Sequence, residues 1–159
     1  MIRIGVISDT HLKLVTGELR HIFKRHLADK DLIIHCGDTV STGVVNYLDE
    51  GRFRGVYGNM DPYEVRDLLP EKEVIELGGF RLGLIHGWGA AEGLEDRIRM
   101  QFQEVDAIVY GHSHRAVSHH RDGVLFFNPG SATGYAPTGE NSIGILEIGD
   151  EIRGSIITL

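Results

Sequence analysis

Short β-branched apolar runs alternate with stretches of helical spacing through the first two thirds of the chain. Ile2 to Ser8 is apolar throughout and predicts a buried strand. Thr16-Gly17-Glu18 then opens a helix whose apolar face is Leu19, Ile22, Phe23 and Leu27. Leu32 to Cys36 is a second strand, and Ser41 or Thr42 caps a short helix with Val44, Val45 and Leu48 inside. Arg54 to Tyr57 reads as a third strand. Glu73–Leu77 and Phe80–His86 flank Gly78-Gly79, a hairpin signal. Leu94, Ile98 and Phe102 share one helix face, and Asp106–Tyr110 follows as a strand. After that the helical spacing stops. Ala116–His120, Val124–Phe127, Ser142–Ile148 and Ile152–Thr158 all read as strands joined by turns. The order predicts an α/β fold with two sheets packed face to face and helices outside.

Composition narrows the setting. A chain of 159 residues with no repeat or linker fits a single domain, residues 1–159, with a sizeable core. The formal net charge of −7 argues against partners held by bulk charge, so broad nucleic-acid binding and an anionic membrane surface are not expected. One cysteine, Cys36, excludes an internal disulfide and points to a reducing compartment. The apolar start ends at Asp9, too soon for a signal peptide, so cytoplasm is the expected location.

The polar residues gather where the strands end. The first strand runs into Asp9-Thr10-His11, the second into Gly37-Asp38 and the third into Gly58-Asn59-Met60-Asp61. Phe80–Ile85 runs into His86-Gly87, and Asp106–Tyr110 into Gly111-His112-Ser113-His114. Sites in α/β sheets form outside the carboxyl ends of strands, and glycine lets the backbone turn sharply there. Seven donors result: Asp9, His11, Asp38, Asn59, His86, His112 and His114. A mononuclear zinc site needs only three or four protein ligands, whereas seven suit two metals roughly 3.5–4 Å apart. The i, i+2 spacing of Asp9/His11 and His112/His114 puts each pair on one side of an extended chain. Each block alone has a plain structural reading as a turn or a hydrogen-bonded strand end. Their joint appearance in order is what carries weight.

The blocks D-x-H, GD, GN, H and G-H-x-H, spanning Asp9 to His114, resemble the calcineurin-like metallophosphoesterases. Asn128-Pro129-Gly130-Ser131 also looks like a turn of the small members, and the length resembles the minimal single-domain phosphodiesterase (YfcE-like) subgroup. The resemblance implies a four-layer α/β/β/α sandwich. It implies one metal held by Asp9, His11, Asp38 and His114. A second would be held by Asp38, Asn59, His86 and His112, with Asp38 bridging. It further implies in-line attack on phosphorus by a hydroxide shared between the metals, with Asn59 touching the phosphate. Asp38 and Asn59 are thus the expected catalytic residues and Asn59 the expected substrate contact. Mixed nitrogen and oxygen ligands suit Mn²⁺, Fe, Zn²⁺, Co²⁺ or Ni²⁺ better than Mg²⁺, and two divalent ions, Mn²⁺ first among the candidates, are expected.

Met60 departs from larger relatives, which carry a histidine there that can protonate the leaving group. Asp61-Pro62-Tyr63-Glu64 reads as a helix start with Asp61 as N-cap. His35 is expected as a hydrogen-bonded core residue, and His21 and His26 as solvated helix residues. His119 and His120 face opposite sides of a strand, so at most one reaches the site. The expected substrate is a small phosphodiester. Two alternatives remain: a scaffold module, as in the retromer subunit of this fold, and a nuclease. The filled ligand positions favour the enzyme, and the absent accessory domain and acidic balance count against the nuclease. Homo-oligomerisation is left open.

Overall fold

In the computed structural model, which describes residues 1–159, the chain runs β1 (Ile2–Ile7), α1 (Gly17–Ile22), β2 (Leu32–His35), α2 (Thr42–Leu48), β3 (Phe53–Gly55), α3 (Tyr63–Leu68) and β4 (Lys72–Leu77). It continues through β5 (Phe80–Ile85), α4 (Leu94–Arg99), β6 (Ala107–Val109), β7 (Val117–Arg121), β8 (Val124–Asn128), β9 (Ser142–Ile148) and β10 (Ile152–Thr158). α1 passes directly into a π-helical stretch, Phe23–Leu27. The Thr16 hydroxyl accepts the Leu19 N–H at 3.1 Å and the Ser41 hydroxyl the Val44 N–H at 3.3 Å, so both expected caps form.

The strands sort into two mixed sheets, ordered β10-β9-β1-β2-β3 and β4-β5-β6-β8-β7. β1, β2 and β3 are parallel, as are β5, β6 and β8, so their carboxyl ends share an edge in each sheet. The late all-β run divides: β7 and β8 extend the second sheet, while β9 and β10 return to the first.

Strand alternation builds three cores. Ile4, Val6 and Ile34 face Leu82, Leu84, Val109, Leu125 and Phe127 between the sheets. Ile7 and Ile33 point the other way, under Leu19, Ile22, Leu27, Val44 and Leu48 of the first helices. Ile85, Ile108 and Phe126 lie under Leu94 and Ile98 of α4, with Phe102 joining just beyond the helix. Helix, sheet, sheet and helix thus stack as the four layers that the resemblance implied.

The third strand differs most from its reading. It pairs with β2 only through Phe53, Arg54 and Gly55. Val56 N–H still donates to His35 O at 3.1 Å; Tyr57 then turns away, its N–H bonding Pro70 O at 3.0 Å, and carries the chain toward the strand ends where Asn59 sits.

Candidate metal centre

Five loops leave parallel strands at one edge and bring the seven donors together. Asp9 N–H donates to Gly37 O and His11 N–H to Asp38 O, both at 3.0 Å, which ties the first two loops side by side. Two glycines permit the closest approaches. A Cβ on Gly58 would sit 2.3 Å from Asp38 Oδ1, and one on Gly111 would sit 2.6 Å from Asp9 Oδ2. Neither loop could close with a side chain at those positions.

Asp9 and Asp38 lie buried at the centre, with a histidine pair on each side. The rings of His11 and His114 are 5.2 Å apart, and so are those of His86 and His112. Asp9 Oδ1 faces His114 Nε2 at 3.2 Å, His11 Nε2 at 3.7 Å and His86 Nε2 at 3.8 Å. Asp38 Oδ2 faces His86 Nε2 at 3.2 Å and His11 Nε2 at 3.6 Å. Asn59 Oδ1 completes the second half, 3.0 Å from His86 Nε2 and 3.2 Å from His112 Nδ1. Both carboxylates, not Asp38 alone, therefore lie between the two halves.

Three rings are oriented from behind by backbone carbonyls. His86 Nδ1 donates to Cys36 O at 2.7 Å, His112 Nε2 to Gly89 O at 2.7 Å, and His114 Nδ1 to Tyr135 O. A neutral ring so anchored turns a lone pair inward, toward the carboxylates and the Asn59 oxygen. With the rings neutral, lone pairs then face lone pairs, an arrangement that a cation, whether a metal or a proton on the ring, relieves. The Asp9 Oδ1 and His11 Nε2 atoms point the same way: both are buried and lack any hydrogen-bond partner. Two overlapping donor groups, Asp9/His11/His114 and Asp9/Asp38/His86, each lie within ligand-sharing distance. The residues present fit divalent metal, and the carbonyl anchoring is the outer-shell support that metal-binding imidazoles require.

Protonation follows the same crowding. Burial pushes the Asp9 carboxyl up, but His11, His114 and the charge of His86 outweigh it and hold it far below the carboxylate range. Burial also opposes charge on Asp38, yet His86 beside it lowers its pKa. His86 is pushed down by burial and raised further by Asp38 and Asp9; His114 is raised mainly by Asp9.

The backbone explains the i, i+2 spacing in a way that the strand argument did not. Asp9, His11, Asp38, His112 and His114 all have positive φ, between 49° and 71°. The pairs are not extended; they sit in left-handed turns, each costing roughly 1–2 kcal/mol for an ordinary residue. Strain concentrated on five of the seven donors marks a site whose geometry the fold imposes.

Asp61 is not an N-cap. Pro62 occupies that position of α3 without a side-chain bond, and the Asp61 carboxylate turns inward, 3% exposed. It accepts the N–H groups of Val40 at 2.7 Å, Gly58 at 2.8 Å and Asp38 at 2.9 Å, and the Thr39 hydroxyl at 3.2 Å. Four donors to a buried carboxylate outweigh one or two exposed helix N–H groups. Asp61 thereby locks the Asp38 loop to the Asn59 loop. Asp61→Ala is expected to lower Tm by roughly 10 °C, since three orphaned N–H groups cost about 1–3 kcal/mol each. It should also weaken metal binding about 10- to 100-fold. Calorimetry and a metal titration check this; an unchanged Tm would return Asp61 to a capping role.

Asn128 and Ser131, read from sequence only as part of a turn, hold the opposite side. The Asn128 amide donates to Gly111 O and Ser113 Oγ, each at 3.1 Å, and Ser131 Oγ donates to Asp9 O at 2.8 Å. His35 is the core residue expected, bonded to Thr10 Oγ1 and the Gly37 N–H, and burial pushes its ring down to about 4. His119 pairs with Glu95 at 2.7 Å and His120 lines a separate cavity with Phe80 and Asp106, so neither joins the site.

A four-layer sandwich with buried carboxylates between paired histidines at its strand ends is the architecture of a metallophosphoesterase. The profile of the calcineurin-like phosphoesterase superfamily domain matches residues 2–151. The chain is 36% identical to probable metallophosphoesterase MJ0623 of Methanocaldococcus jannaschii, over 82% of this chain and 68% of that one. It is 31% identical to phosphodiesterase MJ0936 of the same organism, over 91% and 92%. A solved archaeal phosphodiesterase superposes with a TM-score of 0.76 at 29% identity, covering 99% of this chain and 100% of that one. The chain belongs to the calcineurin-like phosphoesterase superfamily. No helix is long and apolar enough to cross a membrane.

Proposed function

We propose that this protein is a phosphodiesterase that uses two divalent metals, held by Asp9, His11, Asp38, Asn59, His86, His112 and His114. The observation that carries this reading is the pair of buried carboxylates flanked by carbonyl-anchored histidines whose free nitrogens turn inward. The kinship with a phosphodiesterase over nearly its whole length supports the diester. Bound divalent cations supply Lewis acidity toward phosphoryl oxygens and lower the pKa of water so that hydroxide is available near pH 7. Mn²⁺ is the favoured metal, with Fe, Zn²⁺, Co²⁺ and Ni²⁺ compatible with the same donors.

The chain's own residues do the positioning. His86, His112 and His114 are fixed in tautomer by their carbonyls, so no reorientation accompanies binding. Asn59 turns its amide oxygen toward the inward nitrogens of His86 and His112, where a metal would be held, which leaves its NH₂ to donate to a phosphate oxygen. Asp38 is steered by the Met60 N–H on Oδ1 at 2.8 Å, which turns Oδ2 inward.

The test is metal content together with turnover. Elemental analysis of Mn²⁺-refilled protein is expected to approach two metals per chain, with bis(p-nitrophenyl) phosphate hydrolysed. Asp38→Asn should harm both sites and His11→Ala mainly one. A firm limit of one metal with an intact fold would sink the dinuclear claim. Absence of turnover on diesters and monoesters alike would favour a scaffold role.

A further inference from the structure

A cavity of about 280 Å³ adjoins the metal centre, sharing Asn59 and His86 as walls and adding Tyr57, Arg66, Glu71 and Trp88. Its chemistry differs from that of the ligand cluster. Trp88 is the chain's single tryptophan and remains 44% exposed. Its loop is held in place, the Trp88 carbonyl accepting the Arg97 Nε–H at 3.0 Å. The Arg66 guanidinium lies over the Tyr57 ring, 5.0 Å from its centroid. It is fixed there by Nε donating to Asp61 O at 2.9 Å and Nη2 donating to Asn59 O at 3.2 Å. Glu71 adds an exposed carboxylate.

A second phosphate would suit a bare arginine, but this arginine already spends two donors on carbonyls and shares its cavity with a carboxylate. The two aromatic side chains, with acceptor and donor groups beside them, suit a planar ring system that has both N–H groups and lone pairs. The volume lies near the lower end for ligand pockets, enough for one such ring system. Because Asn59 and His86 belong to both sites, an ester group of a phosphate at the metal centre has this cavity within reach.

We infer that this cavity is a nucleobase subsite and that the diester cleaved is a small nucleoside ester. The inference rests on the phosphodiesterase reading and names its substrate class. The net charge of −7 favours a single nucleoside unit over a polynucleotide. Stacking of the base on the exposed Trp88 ring, which shares the cavity with the Arg66-covered Tyr57, supplies the preference.

Two readouts test it. In Zn²⁺-loaded protein, thymidine 5′-monophosphate is expected to quench Trp88 emission saturably, and to bind about tenfold more tightly than ribose 5-phosphate does in competition. In kinetics, the p-nitrophenyl ester of thymidine 5′-phosphate should exceed methyl p-nitrophenyl phosphate in kcat/KM by about tenfold or more, the leaving group being the same. Trp88→Ala should bring that ratio toward one. Either a native ratio near one or an emission that the nucleotide leaves unchanged overturns the subsite while the phosphodiesterase reading stands. If no diester is turned over at all, that reading fails by itself, and the fluorescence titration still decides the subsite.

Discussion

Stripping the protein of divalent metal is expected to lower hydrolysis of bis(p-nitrophenyl) phosphate by at least about 10⁴-fold, with Mn²⁺ restoring it, because metal shifts the pKa of water from about 15.7 to about 7. No side chain nearby can replace that contribution. Ser8 Oγ is committed to Asp9 at 2.6 Å, and His35 is sealed in the core. Cys36 is buried, and burial pushes its thiol well above the ordinary value. Activity surviving in protein shown by elemental analysis to be metal-free would overturn the assignment. The stripped protein should also show a distinct pH dependence. His86 and His114 have raised pKa values, so the stability they confer is full below about pH 6.5 and is lost as pH rises through those values. Asp9 and Asp38 have lowered values, so their contribution is present above about pH 4 and is lost in acid. Metal competes with protons for the same nitrogens and binds better as pH rises. From pH 6.5 to 8.5, Tm should fall in stripped protein and hold or rise in Mn²⁺-loaded protein. Parallel curves would mean that the histidines do not bind the metal.

The donors were legible because each is a polar exception at the end of an apolar run. His86 after Leu82–Ile85 and His112 after Ala107–Tyr110 have no burial argument of their own. The layer order was legible too, since β-α alternation followed by hairpins leaves few arrangements. What supports the donors was not. The Asp61-Pro62-Tyr63-Glu64 run satisfies every local rule for a helix start, yet its carboxylate goes to N–H groups that lie 21 and 23 positions away in the chain as well as to Gly58. Local rules rank neighbours in sequence; they do not weigh a buried, charge-assisted network. The positive φ values were invisible for a related reason. His112 and His114 are held in left-handed turns by contacts such as the His112 N–H to Asp9 Oδ2 bond at 3.1 Å, across 103 positions. The cavity beside Asn59 depends wholly on tertiary placement. Tyr57 reaches it only because the chain leaves β3 early, and no periodicity predicts where Trp88 lands relative to Arg66.

Met60 carries the second large expectation. Its side chain is 60% exposed and offers no proton, while its backbone N–H is already spent on Asp38 Oδ1. The residue at this position thus steers a carboxylate through its backbone, and in the proposed reaction its side chain offers the departing oxygen no acid. His119 and His120 do not substitute, the first being bonded to Glu95 and the second placed in a separate cavity. General acid help contributes typically about 10²–10⁴-fold and counts most for poor leaving groups. Hydrolysis is therefore expected to depend steeply on leaving-group pKa, with aryl diesters cleaved about 10²-fold or more faster than alkyl diesters of the same size. Met60→His should raise the alkyl rates and flatten the dependence, because a new imidazole at this exposed position stands beside Asn59, where the phosphate is proposed to bind. The measurement is log(kcat/KM) against leaving-group pKa for a series of aryl and alkyl diesters, in Mn²⁺-loaded native and variant protein. A nearly flat native line, with chemistry shown to be rate-limiting, would mean that a proton donor not identified above serves the leaving oxygen. Met60→His would then change little.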